Sequence, residues 1–486
     1  MTVVEQKFSW ITARTMSERL DSSYYSRSAL ANERRISRCP FGSVKLSTLF
    51  SVTKLSGFEY TEHFTENELN EGTVPCLTSQ NVEDCKVNTH GCLRISETLH
   101  RELVRSSLSP EDIILSYTGH YRRAAVIPKF LDAHLGPNVC KLSTIDSCCD
   151  AYFFAAFLNG STGQAALDRE KTLSAQPTVN MDRIRSLKVI SPREDLQRAI
   201  GNKLRKAELL RELANACRRS GENLLLESIP FSKPDVTNRP TWSDSEITGT
   251  HRFDAEYYAP TYLALDHFFS DWMKSGRKLD RLERLIGDGG YGVLPSSDHY
   301  GQGDLRFLRA QDIDSLLIKE DVELVVPRSY LNQKAITKKD DVLMEVKGEI
   351  AGCAVCSSEM VGCLVNGSIY RMTVTDDIDP YYLASFLVST TGVLQKRRAA
   401  ANSVISYLSV DFLNDLRIPR LEEEEEVAIA SEFRSFVRHT SESRKLVVQA
   451  KKDVEALIEG TLVESSLLED SAKIEQWLED NPAPEL

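Results

Sequence analysis

The chain has 486 residues, of which 41% are hydrophobic and 27% are charged. This length exceeds one ordinary core, so two or three domains are expected, and the composition excludes a mainly disordered or collagen-like chain. The net charge of −12 is uneven, because the last 66 residues hold 17 acidic and 7 basic residues. The rest of the chain is nearly neutral, so the acidic total does not exclude binding to nucleic acid.

Sequence signals for membranes, metals and catalysis are scarce. No run of 18 apolar residues is present, and the first residues lack the order of a secretory signal. The eleven scattered cysteines favour reduced thiols in a cytoplasmic protein, and the CxxC of Cys353 and Cys356 has no histidine within thirty residues. Phosphate-loop, GxSxG and HExxH motifs are absent from the sequence, so no cofactor or metal is expected.

The elements follow one another in a simple order. Residues 1–193 alternate short β-rich runs with turn signals and one helical stretch, which predicts a mixed α/β domain. Apolar residues at spacings of three and four predict a long helix over 194–228. A linker with three prolines follows at 229–241. Residues 242–420 form a second mixed domain, 421–465 a second long helix, and 466–486 an acidic tail.

The second half of the chain repeats the first at offsets of 229 to 233. Chance similarity would not keep its register over about eighty residues, so the sequence contains a duplicated module of about 230 residues. The repeated segments are the opening motif Arg-x-Asp-x-x-Tyr-Tyr at Arg19 and Arg252, the segments 77–84 and 308–314, and the segments 112–126 and 341–355.

These motifs, in this order and repeated twice, resemble the DNA-specificity (S) subunit of Type I restriction-modification systems, the HsdS family. The resemblance also covers Gly119 and Gly348 after the central strands, and Asn138 and Asn366 before a later strand. It implies an α/β (α+β) fold with two similar target-recognition domains, at 1–193 and 242–420. Each domain is followed by a long helix. The two helices are expected to pack as an antiparallel coiled coil with pseudo-two-fold symmetry.

The implied function is that of an adaptor without catalytic activity. It would recognise a bipartite, asymmetric site in double-stranded DNA and dock methyltransferase subunits, which bring S-adenosylmethionine, through its helices. A restriction and translocation subunit would join the full complex, and no membrane is involved. Two alternatives stay open: a protein-binding scaffold of a defence system that uses its acidic C-terminus, and a metal-dependent nuclease using Asp341, Glu345 and Lys347.

If the modules read DNA, side chains on loops must reach base edges while Lys and Arg hold phosphates. Basic residues at Arg101, Arg105, Lys338, Lys339 and 396–398 are the predicted phosphate contacts. The predicted DNA-binding residues are Ser79, Gln80, Asn81, Thr118, Gly119, His120, Tyr121, Arg122 and Arg123 in the first copy, and Arg309, Gln311, Asp312, Lys347 and Gly348 in the second.

Overall fold

The computed structural model describes residues 19, 21–65, 68–69, 72–119, 122–145, 148–172, 176–234, 255–319, 322–400 and 406–482. His120, Tyr121, most of the predicted linker and the second opening motif at Arg252 lie outside the described residues. The chain divides into two compact units, unit 1 with residues 1–211 and 442–486 and unit 2 with residues 212–441. No helix in the described part of the chain has the length and apolar character needed to cross a membrane.

The described helices and strands are numbered in chain order. The helices are α1 (Arg27–Arg38), α2 (Gly57–His63), α3 (Glu97–Glu102), α4 (Ala151–Asn159), α5 (Ser161–Glu170), α6 (Met181–Ser186), α7 (Glu194–Ser228), α8 (Pro260–Lys274), α9 (Leu282–Leu285), α10 (Pro380–Val388), α11 (Thr390–Ala399), α12 (Val410–Asn414), α13 (Glu423–Glu459) and α14 (Glu464–Asp480). The strands of unit 1 are β1 (Ser43–Lys45), β2 (Phe50–Lys54), β3 (Val74–Leu77), β4 (Val82–Glu83), β5 (Lys86–Val87), β6 (Leu93–Ile95), β7 (Ser107–Leu108), β8 (Ile113–Ser116), β9 (Ala124–Val126), β10 (Ala133–Leu135), β11 (Val139–Thr144) and β12 (Lys188–Ile190). Those of unit 2 are β13 (Leu279–Arg281), β14 (Ile286–Tyr291), β15 (Leu305–Leu308), β16 (Ile313–Asp314), β17 (Leu317–Ile318), β18 (Val325–Val326), β19 (Val342–Glu345), β20 (Cys353–Val355), β21 (Leu364–Val365), β22 (Ile369–Val374) and β23 (Arg417–Pro419).

Unit 1 is built on two four-stranded sheets, with the orders β2-β11-β8-β9 and β6-β3-β10-β7. The central strand β8 is buried along its whole length, as its apolar run requires. Helix α4 covers β9 and is also buried over almost all its residues. It begins at Asp150, whose carboxylate accepts hydrogen bonds from the backbone N–H groups of Tyr152 and Phe153, both at 3.0 Å.

Unit 2 repeats this plan with the sheets β14-β22-β19-β20 and β18-β15-β21. The pair β15 and β21 is parallel, as is the pair β3 and β10 of unit 1. Residues with a Cβ rarely adopt positive φ, so its recurrence at matching positions shows that the two modules make the same turns. The matching non-glycine residues are Cys85 and Ser315, Glu111 and Asp340, and Arg122 and Ile350. The predicted fold class is therefore confirmed as two similar mixed α/β modules, each followed by a long helix.

The two long helices pack on each other and run antiparallel in unit 1. Lys203 and Asp453 form a buried ion pair, and the Ser443 hydroxyl donates to the Ala207 carbonyl at 2.8 Å. Residue numbers thus fall along α13 as they rise along α7. In unit 2, Gly221 of α7 lies against the Phe433 ring of α13, where a Cβ would come within 2.9 Å of the ring.

The predicted acidic tail is mostly a helix. Residues Glu464–Asp480 form α14, and Leu467, Ser471 and Ile474 are its buried positions. Their spacing of four and three places them on one face, so the acidic residues between them face outward. The Asn202 side chain of α7 donates a hydrogen bond to the Ser471 hydroxyl at 3.2 Å, which ties this helix to the core of unit 1.

Candidate nucleic-acid interface

The first predicted contact loop of unit 1 follows β3 and is held together by Asn81. The Asn81 Oδ1 atom accepts hydrogen bonds from the backbone N–H and the hydroxyl of Thr78, both at 2.9 Å. Its Nδ2 atom donates to the Asn88 carbonyl at 2.9 Å. Since Asn81 is also only 5% exposed, its amide positions the loop, a role different from the base contact predicted for it.

Unit 2 builds the same loop after β15. The buried Asp312 carboxylate accepts a hydrogen bond from the backbone N–H of Arg309 at 2.9 Å, so Asp312 also holds its loop instead of facing DNA. Gln80 and Gln311 precede these two anchoring residues, and both are exposed. Each loop therefore presents a glutamine amide to solvent from a fixed turn.

The second predicted loop of unit 1 follows β8 and closes on Ser116. The Ser116 backbone N–H donates to the Arg123 carbonyl at 2.9 Å, and the Arg123 N–H donates to the Ser116 hydroxyl at 3.0 Å. Arg123 itself is exposed. Arg122 has a φ of +75° and lies 3.5 Å from the Asp168 carboxylate. Of the two arginines, Arg123 is therefore the better placed to contact an external ligand.

In unit 2 a charged pair takes over the role of Ser116. The Glu345 carboxylate accepts hydrogen bonds from the backbone N–H groups of Ala351 and Gly352, both at 3.1 Å. Lys396 lies fully buried beneath the loop and donates to the Ala351 carbonyl at 3.1 Å. Burial disfavours its charged form and lowers the pKa of Lys396 to about 8. These contacts fix the loop that begins at Lys347.

The proposed nuclease residues do not form a metal site. The buried Asp341 carboxylate accepts hydrogen bonds from Arg371 at 2.9 Å and from the Thr373 hydroxyl at 2.5 Å. Glu345 is occupied by backbone N–H groups, and Lys347 is exposed. Among the residues that the structure describes, no group of three or more His, Cys, Asp or Glu is arranged to hold a metal ion. The geometry thus gives these residues structural roles.

A third segment joins each second loop, and the sequence analysis did not include it among the contacts. Thr118 pairs with Thr178 in an isolated antiparallel bridge, and Lys347 pairs in the same way with Tyr407. Both pairings are separated by 229 residues, the offset of the repeat. Tyr407 is 38% exposed, so its ring adds an aromatic surface beside Lys347.

These segments meet at one place in unit 1. A Cβ on Gly119 would lie 3.6 Å from the Ser79 hydroxyl and 4.0 Å from the Gln176 amide nitrogen. Ser79 is largely buried, whereas Gly119 is exposed and has a φ of +76°. In unit 2 the backbone N–H of Gly348 donates to the Ser406 carbonyl at 3.1 Å. The Gln176 position follows a serine in the sequence, and this Ser-Gln pair was the available signal for the third segment.

The predicted phosphate contacts differ in accessibility. Lys396 is buried, and Arg398 is bound to Asp266 at 2.5 Å and stacked on Tyr257. Neither residue is placed to hold a phosphate, because an apolar run of α11 turns both toward the core. Arg397 between them is exposed. The remaining candidates are also exposed: Arg101, Arg105, Lys338 and Lys339.

No protein-family model matches the chain, and no curated protein matches it. Among solved structures it is similar to the S subunit of the Type I restriction-modification system from M. genitalium, with 13% identity, coverage of 89% of this chain and 96% of that chain, and a TM-score of 0.44. It is also similar to the HsdS subunit from Thermoanaerobacter tengcongensis, with 14% identity, coverage of 88% and 100%, and a TM-score of 0.28. A chain from a structure describing complex assembly and conformational transition of the type I R-M system shows 14% identity, coverage of 87% and 100%, and a TM-score of 0.29. These proteins belong to the class that the sequence motifs resemble.

Proposed function

We propose that the chain is the DNA sequence-specificity subunit of a Type I restriction-modification complex or a related defence complex, and that it acts as an adaptor without chemistry of its own. One observation carries this proposal. Both units build the same loops from equivalent internal contacts but place different side chains at their exposed tips. Thr118 of unit 1 corresponds to Lys347 of unit 2, and Arg123 corresponds to Gly352. A constant frame with different tips suits a target made of two different half-sites.

The exposed side chains have the chemistry that reading DNA requires. A glutamine amide offers one donor and one acceptor side by side and pairs with the N6 and N7 edge of adenine, so Gln80 and Gln311 suit base recognition. Arg123 and Lys347 carry positive charge on neighbouring loops, where they suit guanine or phosphate contacts. The acidic excess of the chain lies elsewhere, in its last 66 residues.

The long helices are the proposed docking surface for methyltransferase subunits. After the two helices pack on each other, large apolar side chains are still exposed on both of them. They are Leu213 and Leu226 on α7, and Val427 and Val448 on α13. Apolar side chains of this kind gain from being covered by a partner protein. The methyltransferase subunits would supply S-adenosylmethionine, and a restriction subunit would complete the assembly.

Sequence-selective binding of the full chain to DNA tests this function. Sequencing of methylated sites in a host that carries the chain with its neighbouring genes identifies the target. Fluorescence anisotropy then compares a duplex of that target with a scrambled duplex at several salt concentrations. We expect preference for the target, a steep salt dependence, and separate losses when either half-site is scrambled. The isolated chain is expected neither to methylate nor to cleave DNA.

Other outcomes would favour the alternatives. Equal affinity for target and scrambled DNA, together with a protein partner that binds through the acidic face of α14, would favour the scaffold. Cleavage by the purified chain that requires Mg²⁺ and is lost in Glu345→Gln would favour the nuclease. Methyl transfer by the isolated chain would overturn the adaptor assignment.

A further inference from the structure

The connection between β14 and β15 of unit 2 carries an exposed leucine on a fixed backbone. Leu294 is 71% exposed. Just before it, the Val293 N–H donates to the Val365 carbonyl at 3.0 Å, and the Val293 carbonyl accepts from the Gly367 N–H at 2.8 Å. Pro295 follows, with a ring that restricts the backbone. The apolar side chain is therefore held in solvent by a backbone that is pinned in place.

Two glycines make this arrangement possible. A Cβ on Gly292 would come within 2.2 Å of the carbonyl oxygens of Val365 and Asn366, so no other residue fits there. A Cβ on Gly367 would come within 2.8 Å of the Leu294 Cγ atom. Leu294 thus lies directly over Gly367, and the missing side chain of that glycine leaves room for it.

This leucine lies between the two predicted contact loops of unit 2. The Asn366 N–H donates to the Leu308 carbonyl at 2.8 Å, immediately before the loop that presents Gln311. The Val346 N–H donates to the Ser368 carbonyl at 2.9 Å, immediately before Lys347. The turn under Leu294 is therefore bonded to the starts of both loops.

Unit 1 exposes a large apolar side chain in the matching connection. Phe58 follows β2, the counterpart of β14, and precedes β3, the counterpart of β15. It is 79% exposed. An apolar tip between these two strands is thus a feature of both modules.

Building on the proposed function, we propose that Leu294 is a specificity-determining residue that contacts the C5 methyl group of a thymine in the target. Gln311 offers hydrogen bonds and Lys347 offers charge, but neither can recognise a methyl group. The thymine methyl is the apolar feature of the major groove, and contact with an apolar side chain is how proteins recognise it. Leu294 supplies this contact from a fixed position beside the polar groups.

Replacing thymine by deoxyuridine tests the proposal, because it removes only the methyl group. Each thymine of the target duplex is replaced in turn, and the affinity of the full chain is measured by anisotropy. We expect one position at which the wild-type protein loses about fourfold in affinity, the value for burial of one methyl group. Leu294→Ala should bind the thymine duplex about fourfold more weakly and be insensitive to deoxyuridine at that position.

Met273→Ala serves as the matched control, because Met273 is another exposed apolar residue of unit 2, on α8. It should retain both the affinity and the sensitivity to deoxyuridine, and the far-ultraviolet circular dichroism of both variants should match wild type. The proposal is overturned if no thymine position loses its methyl effect in Leu294→Ala. If the wild-type chain shows no preference for its target, the proposed function itself fails. Selective binding that ignores every methyl group rejects only the leucine contact.

Discussion

Replacing Asn81 by Ala separates residues that hold a loop from residues that read DNA. Asn81 follows Gln80 in the sequence, and both are amides that could pair with adenine. The structure buries the Asn81 amide and exposes the Gln80 amide. We therefore expect Asn81→Ala to reduce the stability of unit 1 and Gln80→Ala to reduce only DNA recognition.

The expected magnitude follows from the hydrogen bonds of Asn81. Its side chain makes three, with the Thr78 N–H, the Thr78 hydroxyl and the Asn88 carbonyl. At a net value of about 1 kcal/mol for each bond, Asn81→Ala should lower the free energy of unfolding by about 3 kcal/mol. Asn81→Asp keeps the acceptor oxygen and loses only the donor, so its loss should be about 1–2 kcal/mol. Asp312 shows that an aspartate works at this position in unit 2.

Urea denaturation followed by circular dichroism measures these free energies, and anisotropy with single base-pair substitutions measures recognition. Gln80→Ala should unfold like wild type and lose about 1–3 kcal/mol of discrimination at one base pair. Asn81→Ala should weaken binding to all target variants in parallel. If Asn81→Ala instead unfolds like wild type and loses discrimination at one base pair, the amide reads DNA and the assignment of its role is wrong.

Three further predictions concern the second loops and the long helices. Arg123→Ala should weaken binding by about 1–3 kcal/mol if it contacts a base and should lower the salt dependence if it contacts a phosphate, and unchanged anisotropy at every salt concentration would contradict both. The unfolded chain binds the Lys396 proton up to pH about 10.5, but burial lowers the pKa of Lys396 in the folded state to about 8, so stability should rise as pH increases between these values. Lys396→Met should flatten this dependence and raise the free energy of unfolding at pH 7 by about 1–3 kcal/mol, and a variant less stable than wild type at that pH would refute the reasoning. Four residues inserted after Arg211, matched by four after Ser441, add about 6 Å to each helix and should widen the tolerated gap between half-sites by one or two base pairs, whereas changed half-site bases would mean that the helices take part in reading DNA.

Local and periodic features of this protein could be predicted from its sequence. The helix predicted over 194–228 has the same bounds as α7, because a helical stripe depends on residues three and four apart. The repeat and the positions of its loops followed from residues compared at one offset. Gln80 and Gln311 were predicted as contacts together with their neighbours, and they are the exposed members of their loops.

Which side chains face outward was decided only by the tertiary structure. Asn81 and Asp312 have the residue types of base-reading side chains, yet backbone groups of their own loops occupy them. Glu345 has the residue type of a metal ligand, but the backbone returning from Gly352 takes its carboxylate. These outcomes depend on where the chain folds back, which residue type and spacing do not specify.

The same reason explains the contacts that the sequence did not reveal. Thr178 and Tyr407 lie sixty residues beyond their partners Thr118 and Lys347, and a strand bridge brings each pair together. Leu294 stands out only because Gly367, distant in the sequence, lies beneath it and leaves it exposed. Periodicity in the sequence therefore determined the modules and their helices. Long-range packing, which determines burial and hydrogen-bond partners, decided which residues of each loop are free to meet DNA.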